Sequence, residues 1–192
     1  MLLTGSPTPP RRAAIPRATR ISVVRPAGAE LGCRAVAATP AVRSLERAEV
    51  AHTLHPYDPG HTDGEGYGEA AAAALGADPR RLFKTLVAQV DGVLTVAVVP
   101  VAGSLDLKAL ATAVGGRRAA MADPADAERA TGYVLGGISP LGQRKPLPTV
   151  VDESALDHPT IMVSAGKRGL QVELAPGDLV RLTKASTAPI GR

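Results

Sequence analysis

The chain has no tryptophan, one phenylalanine and three tyrosines among its 192 residues. Hydrophobic residues make up 45% of it, enough for a core, so that core must be aliphatic, built from Val, Leu, Ile and Ala. The single cysteine, Cys33, excludes an internal disulfide framework and a multi-cysteine metal site. No apolar run approaches the ~20 residues that a membrane-spanning helix needs, so a soluble, cytoplasmic chain with no membrane partner is expected. The length suits one domain of ordinary size with some tail left over.

Acidic residues are nearly missing from the first part of the chain. Residues 1–35 hold six arginines and one acid, Glu30, a net +5; the remainder holds 16 basic and 17 acidic groups, a net −1. The folded part is therefore not a generally basic nucleic-acid binder, and attraction to phosphate has to come from local pairs such as Arg144/Lys145 or Lys167/Arg168. Residues 1–35 are rich in Pro and Arg without helical or strand periodicity and read as a disordered leader, with the domain at 36–192. Met1-Leu2-Leu3 is too short for a signal peptide and no charged segment precedes it. An unstructured tail, or a true start near Val36, is the reading taken over targeting.

Within the domain, Thr39-Pro40 is a helix start running through Arg47, and Val50–His55 alternates like a half-buried strand. Glu69–Leu75 is an alanine-rich helix stopped by Gly76, with a second short helix beginning at Asp78-Pro79. Leu82–Val90 and Val93–Val101 flank Asp91-Gly92, a hairpin signal. Leu105–Val114 reads as a helix, Ala119–Met121 as a brief strand, and Asp123–Thr131 as a helix capped by Asp123. Short strands follow at Tyr133–Leu135, Thr149–Val151, Thr160–Ser164 and Gln171–Leu174, and Asp178–Lys184 closes the chain as a helix. This mixture of short strands and helices predicts a mixed α/β domain, a curled mixed sheet with helices outside it.

The most informative stretch is Thr131–Pro148, TGYVLGGISPLGQRKPLP. It reads as a strand ending in a glycine-permitted turn at Gly136 and Gly137, with main-chain N–H groups beside a small basic cluster, a site for a polar or anionic ligand. Ordinary loop punctuation accounts for the same residues. Lys84 stands between Phe83 and Thr85 at the start of an apolar strand, where its ammonium reaches either a cleft or, as a strand-edge lysine, bulk water. Nucleophilic constellations are missing: His52, His55, His61 and His158 form no metal-ligand spacing, no serine lies in a G-x-S-x-G elbow, and Cys33 is in the leader. No metal or other cofactor is expected.

From Thr39 onward the chain resembles the YbaK/EbsC family of aminoacyl-tRNA deacylases. The segments HTLHPYDP, RLFKTLVAQVDG, VAVVPVAGSLDLKALATAVG, MADP, TGYVLGGISPLGQRKPLP and VSAGKRGLQVEL occur in the family's order. The branch it matches best hydrolyses Cys-tRNA(Pro). The resemblance implies a mixed β-barrel surrounded by helices, a fold shared with the editing domain inserted in bacterial-type prolyl-tRNA synthetases. It also implies catalytic roles for Lys84, Gly136 and Gly137, with the glycine N–H groups on the ester carbonyl oxygen. Substrate contacts are implied for Tyr57, Phe83, Thr85, Ser139 and Ser164, and phosphate contacts for Lys167 and Arg168. Taken alone, Tyr57 is equally a ring covering one end of the sheet, Ser164 a strand-end serine bonding the next turn, and Lys167/Arg168 solvated charge.

Further expectations come with the resemblance. The substrate cysteine's own thiol attacks its carbonyl, so the protein need only orient the ester and bind the oxyanion. The partners are the 3′ acceptor end of an aminoacyl-tRNA and prolyl-tRNA synthetase, which supplies the tRNA(Pro) specificity that a neutral, aromatic-poor domain lacks. Family members often carry Asp where this chain has Gln171, which leaves open any role of that position in orienting Lys84 or the substrate amine. Two alternatives stand beside this reading: water-driven deacylation of another mischarged tRNA such as Ala-tRNA(Pro), and a catalytically silent tRNA- or synthetase-binding module.

Overall fold

Thr39 caps the first described helix, as its sequence suggests. The computed structural model describes residues 38–60 and 66–192, all belonging to one compact unit; the leader 1–35, Cys33 and His61 lie outside the described residues. The Thr39 hydroxyl accepts the Val42 N–H at 3.2 Å, and Pro40 at the first helical position needs no acceptor, so helix α1 (Pro40–Arg47) starts cleanly. It buries Ala41, Val42 and Leu45, and the same hydroxyl donates to the Ala165 carbonyl, tying the helix to strand β6 (Ile161–Lys167).

Two further strands share a sheet with β6. Strand β1 (His52–Pro56) pairs with β7 (Leu170–Leu174), and β7 pairs with β6, giving a three-stranded sheet in the order β1-β7-β6. A second sheet has the order β4-β2-β3-β5-β8, from β2 (Phe83–Val90), β3 (Val93–Pro100), β4 (Ala119–Met121), β5 (Thr149–Asp152) and β8 (Ser186–Ala188). The β2–β3 hairpin closes through Asp91 and Gly92, both at positive φ (46° and 89°), as a two-residue turn requires. The Asp91 carboxylate also accepts the N–H groups of Arg117 (2.7 Å) and Arg118 (3.1 Å), which delivers the chain into β4. Helices α2 (Tyr67–Leu75), α3 (Leu107–Ala113), α4 (Pro124–Thr131) and α5 (Pro176–Thr183) complete the domain. The main core is aliphatic apart from Phe83 and Tyr133. None of the described helices is long and apolar enough to cross a membrane.

The mixed α/β class holds, but the sheet does not curl into a closed barrel. β6 meets β2 only at an isolated parallel bridge, Leu82 with Met162, where the Met162 N–H reaches the Arg81 carbonyl at 2.9 Å. Past that point β6 bulges between Ser164 and Lys167, with Gly166 at φ 92°, and a bulged strand bends out of register with any neighbour. The two sheets therefore diverge from one seam. Beside it, Glu173 on β7 accepts from Arg81 (3.1 Å) and Thr160 and bonds the His55 ring at 2.9 Å, linking both sides.

Four local expectations change. Asp78-Pro79 opens a turn rather than a helix: the Asp78 carboxylate accepts the Arg80 N–H at 2.9 Å, and Leu82 already bridges to Met162. Tyr133–Leu135 is not a strand. Gly132 ends α4 at φ 79°, Tyr133 turns inward to donate to the Leu141 carbonyl at 2.8 Å, and Val134 is left 56% exposed. A 3-10 turn over Glu153–Asp157 was not expected. Nor does α5 close the chain: β8 follows it, and Asp152 at the end of β5 accepts the N–H groups of Ile190 (2.9 Å) and Gly191 (2.6 Å).

Candidate functional site

The gap that the diverging sheets leave is a cleft of about 350 Å³. Its floor is Leu82 with Phe83–Leu86 of β2, one wall carries Ser164 of β6 and Gln171 of β7, and the rim is Gly66–Glu69 at the start of α2 with Leu135, Gly136 and Ile138. Ser164 and Gln171 are register partners, so both side chains leave the same face of the sheet.

Lys84 and Glu69 are the cation and the carboxylate among the described lining residues, with Nζ 3.8 Å from Oε1. Glu69 is well exposed, so solvent screening keeps this pair weak. Two lining oxygens, Thr85 Oγ1 in the floor and Gln171 Oε1 in the wall, lack a partner among the described residues, and both are fully shielded. Gln171 as a whole is only 6% exposed. An unpaired buried polar atom costs about 1–3 kcal/mol, and these two, shielded as they stand, gain a partner only if the lining shifts around an occupant. Ser164 Oγ accepts the Gly166 N–H at 3.3 Å, and no hydroxyl of the described lining is bonded to a histidine or carboxylate that would activate it.

Of the residues expected at the site, Phe83, Lys84, Thr85, Gly136 and Ser164 line the cleft. Phe83 contributes mainly as a buried core ring. Gly136, at φ 76°, could not carry a Cβ, which would sit 2.9 Å from the Tyr67 ring. Among the described residues its N–H makes no hydrogen bond. Gly137 backs the wall instead: its N–H is taken by the Val134 carbonyl at 3.0 Å, and a Cβ would meet Lys167 and Arg168 main chain at 3.0 Å. The Gly-Gly pair therefore offers one free donor rather than two.

Others stand away from the cleft. Ser139 is fully buried, its hydroxyl accepting the Leu141 N–H at 3.2 Å as an internal loop brace. Tyr57 packs its ring with Leu82, Val101 and Ala72, and its N–H meets the Gly169 carbonyl at 3.0 Å. Lys167 is exposed at the end of β6 and absent from the lining. Arg168 is folded back onto the rim, its Nε donating to the Leu135 carbonyl at 2.9 Å. His52 bonds the Val50 carbonyl and His55 bonds Glu173, so both serve the sheet. Tyr133 holds the glycine loop from below; burial pushes its phenol up to about 12.

Tyr67 and Glu69 were not anticipated. The signal available was the run Gly66-Tyr67-Gly68-Glu69 ahead of an alanine helix: glycines beside a lone aromatic and an acid. Gly66 takes φ 81°, and Gly68 packs so closely on Val101 that a Cβ would fall 2.7 Å from it.

Comparison with known proteins gives a consistent pattern. Residues 61–182 match the model of the aminoacyl-tRNA editing domain. A protein of Enterococcus faecalis named as a Cys-tRNA(Pro)/Cys-tRNA(Cys) deacylase, EbsC, is 45% identical over 123 residues, covering 64% of this chain and 75% of its own. A solved structure described as a trans-editing enzyme for prolyl-tRNA synthetase superposes with a TM-score of 0.68 at 26% identity, over 80% of this chain and 95% of the other. The hypothetical protein APE2540 shares the fold with a TM-score of 0.70 at 21% identity, over 80% of this chain and 100% of its own.

Proposed function

The chain belongs to the aminoacyl-tRNA editing domain family, and from that premise we propose that it is a deacylase acting in trans on Cys-tRNA(Pro). The observation that carries this reading is the chemistry of the cleft: among the described lining residues, one cation facing one carboxylate, an unbonded Gly136 N–H, two unpartnered buried oxygens and no activated nucleophile. Such a cleft binds and orients an ester; the attacking group then comes from the substrate.

In this reading the cysteine Sγ attacks the ester carbonyl carbon of the same aminoacyl group. An S–C bond forms, the ester C–O bond breaks, and the thiol proton ends on the departing ribose oxygen. The products are a four-membered thiolactone and free tRNA. Lys84 and the Gly136 N–H face the oxygen on which negative charge develops, a contribution of about 3–4 kcal/mol per well-placed donor in comparable sites. A shift of the lining around the ester brings Thr85 Oγ1 and Gln171 Oε1, shielded as they stand, onto the substrate's N–H or S–H donors, which fixes the bent conformer that attack requires.

The cleft volume of about 350 Å³ leaves room for a water beside the ester, which favours a second reading: hydrolysis of a thiol-free ester such as Ala-tRNA(Pro). Incubation with Cys-tRNA(Pro), S-methyl-Cys-tRNA(Pro) and Ala-tRNA(Pro) separates them. Release confined to the free-thiol ester supports the first reading, and equal release of all three overturns it in favour of water. Binding without turnover marks a silent module. Selection of tRNA(Pro) is assigned to a cytoplasmic complex with prolyl-tRNA synthetase. Addition of the synthetase is then expected to raise the preference for tRNA(Pro) over tRNA(Cys).

A further inference from the structure

Three segments far apart in sequence meet at one point on the cleft rim. Arg168, in the turn between β6 and β7, lays its guanidinium over the Tyr67 ring, 4.6 Å from the centroid, while its Nε donates to the Leu135 carbonyl at 2.9 Å. The same ring and the same Nε are what a Cβ on Gly136 would strike, at 2.9 and 3.0 Å. The rim is thus closed by a planar cation wedged between an aromatic face and a carbonyl, with a bare glycine filling the remaining space.

We propose that Arg168 is a positioning residue that fixes Leu135–Gly136 in the wall of the cleft, and that it is not a contact to substrate phosphate. This rests on the deacylase reading, in which the Gly136 N–H faces the ester carbonyl. The geometry explains why arginine serves here. A guanidinium lies flat on a ring and still offers an in-plane Nε–H to the carbonyl, whereas a lysine ammonium cannot do both at once. The latch uses Nε–H and one face of the guanidinium and leaves the Nη–H donors unbonded among the described residues, so a phosphate-free substrate is needed to separate the two roles. Without the latch, Leu135 and Gly136 keep only the Leu135 N–H bond to Glu128 and the neighbouring Gly137–Val134 turn.

The test compares Arg168→Ala, Arg168→Lys, Tyr67→Leu and the Arg168→Ala/Tyr67→Leu double variant on two substrates: charged tRNA(Pro), and a 3′-cysteinyl adenosine that carries no phosphate. The expected result is a fall in kcat of roughly tenfold on both substrates, the size of effect that a small misplacement of a reacting group produces. Lysine gives no rescue, the double variant is no worse than Arg168→Ala, and salt leaves the effect unchanged. Amide hydrogen exchange of the 133–141 segment in the unliganded full chain is expected to quicken in both Arg168 variants.

A KM increase confined to charged tRNA, sensitive to salt and rescued by lysine, would overturn the proposal in favour of a phosphate contact. Unchanged exchange would overturn it as well. If the unaltered protein turns over neither ester, the deacylase reading falls on its own, and the exchange measurement still decides the latch.

Discussion

Lys84 is placed by alternation along β2: its neighbour Phe83 is buried, while its own side chain, about a quarter exposed, looks into the cleft opposite Glu69. The ammonium is thus present at the floor without being locked by a strong partner. Lys84→Ala is expected to cut kcat/KM for charged tRNA by at least about a hundredfold, with circular dichroism and Tm unchanged, since no buried pair is broken. Gly136→Ala is expected to behave differently. It forces a Cβ into the Tyr67 ring and Arg168 at a positive φ, so activity falls together with a loss of about 1–2 kcal/mol in urea unfolding. At this scale the sequence is partly readable. Lys84, Thr85, Ser164 and Gly136 line the cleft; the residues alone point to Lys84 and the glycine turn, while Thr85 and Ser164 come from the family resemblance. Ser139 and Tyr57 do not, because a serine before proline and a tyrosine after a strand satisfy loop and core as readily as a ligand.

Caps and turns carry most of what can be read of the elements. Thr39-Pro40, Asp123-Pro124 and Asp91-Gly92 each satisfy local backbone groups with their own atoms, and each lies where the chain turns as expected. Tyr133–Leu135 misleads because Val and Leu in a loop look like a strand when nothing in the sequence shows that a tyrosine hydroxyl is already committed to Leu141. β8 is invisible for a related reason: three residues, Ser186–Ala188, have no period, and their pairing depends on β5, more than thirty positions earlier. The seam between the sheets belongs to this scale too. Thr160 first, and then His55 and Arg81, hold the Glu173 carboxyl below its ordinary range. A carboxyl lowered in the folded state stabilises above its unfolded value near 4.5, and loses that contribution as pH falls through the folded value. Glu173→Gln is therefore expected to lower Tm by roughly 2–5 °C at pH 7, and the difference from the unaltered protein to shrink below pH 4.

Across the described domain, the two sheets share a core yet separate at one end, and the candidate cleft is that separation. The closed barrel that the resemblance implies does not form here for a physical reason: the β6 bulge and the residues on either side of it spend their pairing capacity elsewhere. The far side of the domain depends on Asp152, whose carboxylate collects Ser154, Ile190 and Gly191. Asp152→Ala leaves those N–H groups unpaired, Ile190 among them with no exposure at all. It is expected to cost about 2–4 kcal/mol in urea unfolding while sparing KM.

A protein whose near-ultraviolet emission comes from phenols alone, with one of them resting under a guanidinium at the mouth of its cavity, contains a native optical probe. Tyr57 and Tyr133 sit inside packed clusters and give a steady background. Any occupant that disturbs Tyr67 then changes the signal without a dye, a label or an introduced indole, and a stopped-flow trace can follow entry and exit directly.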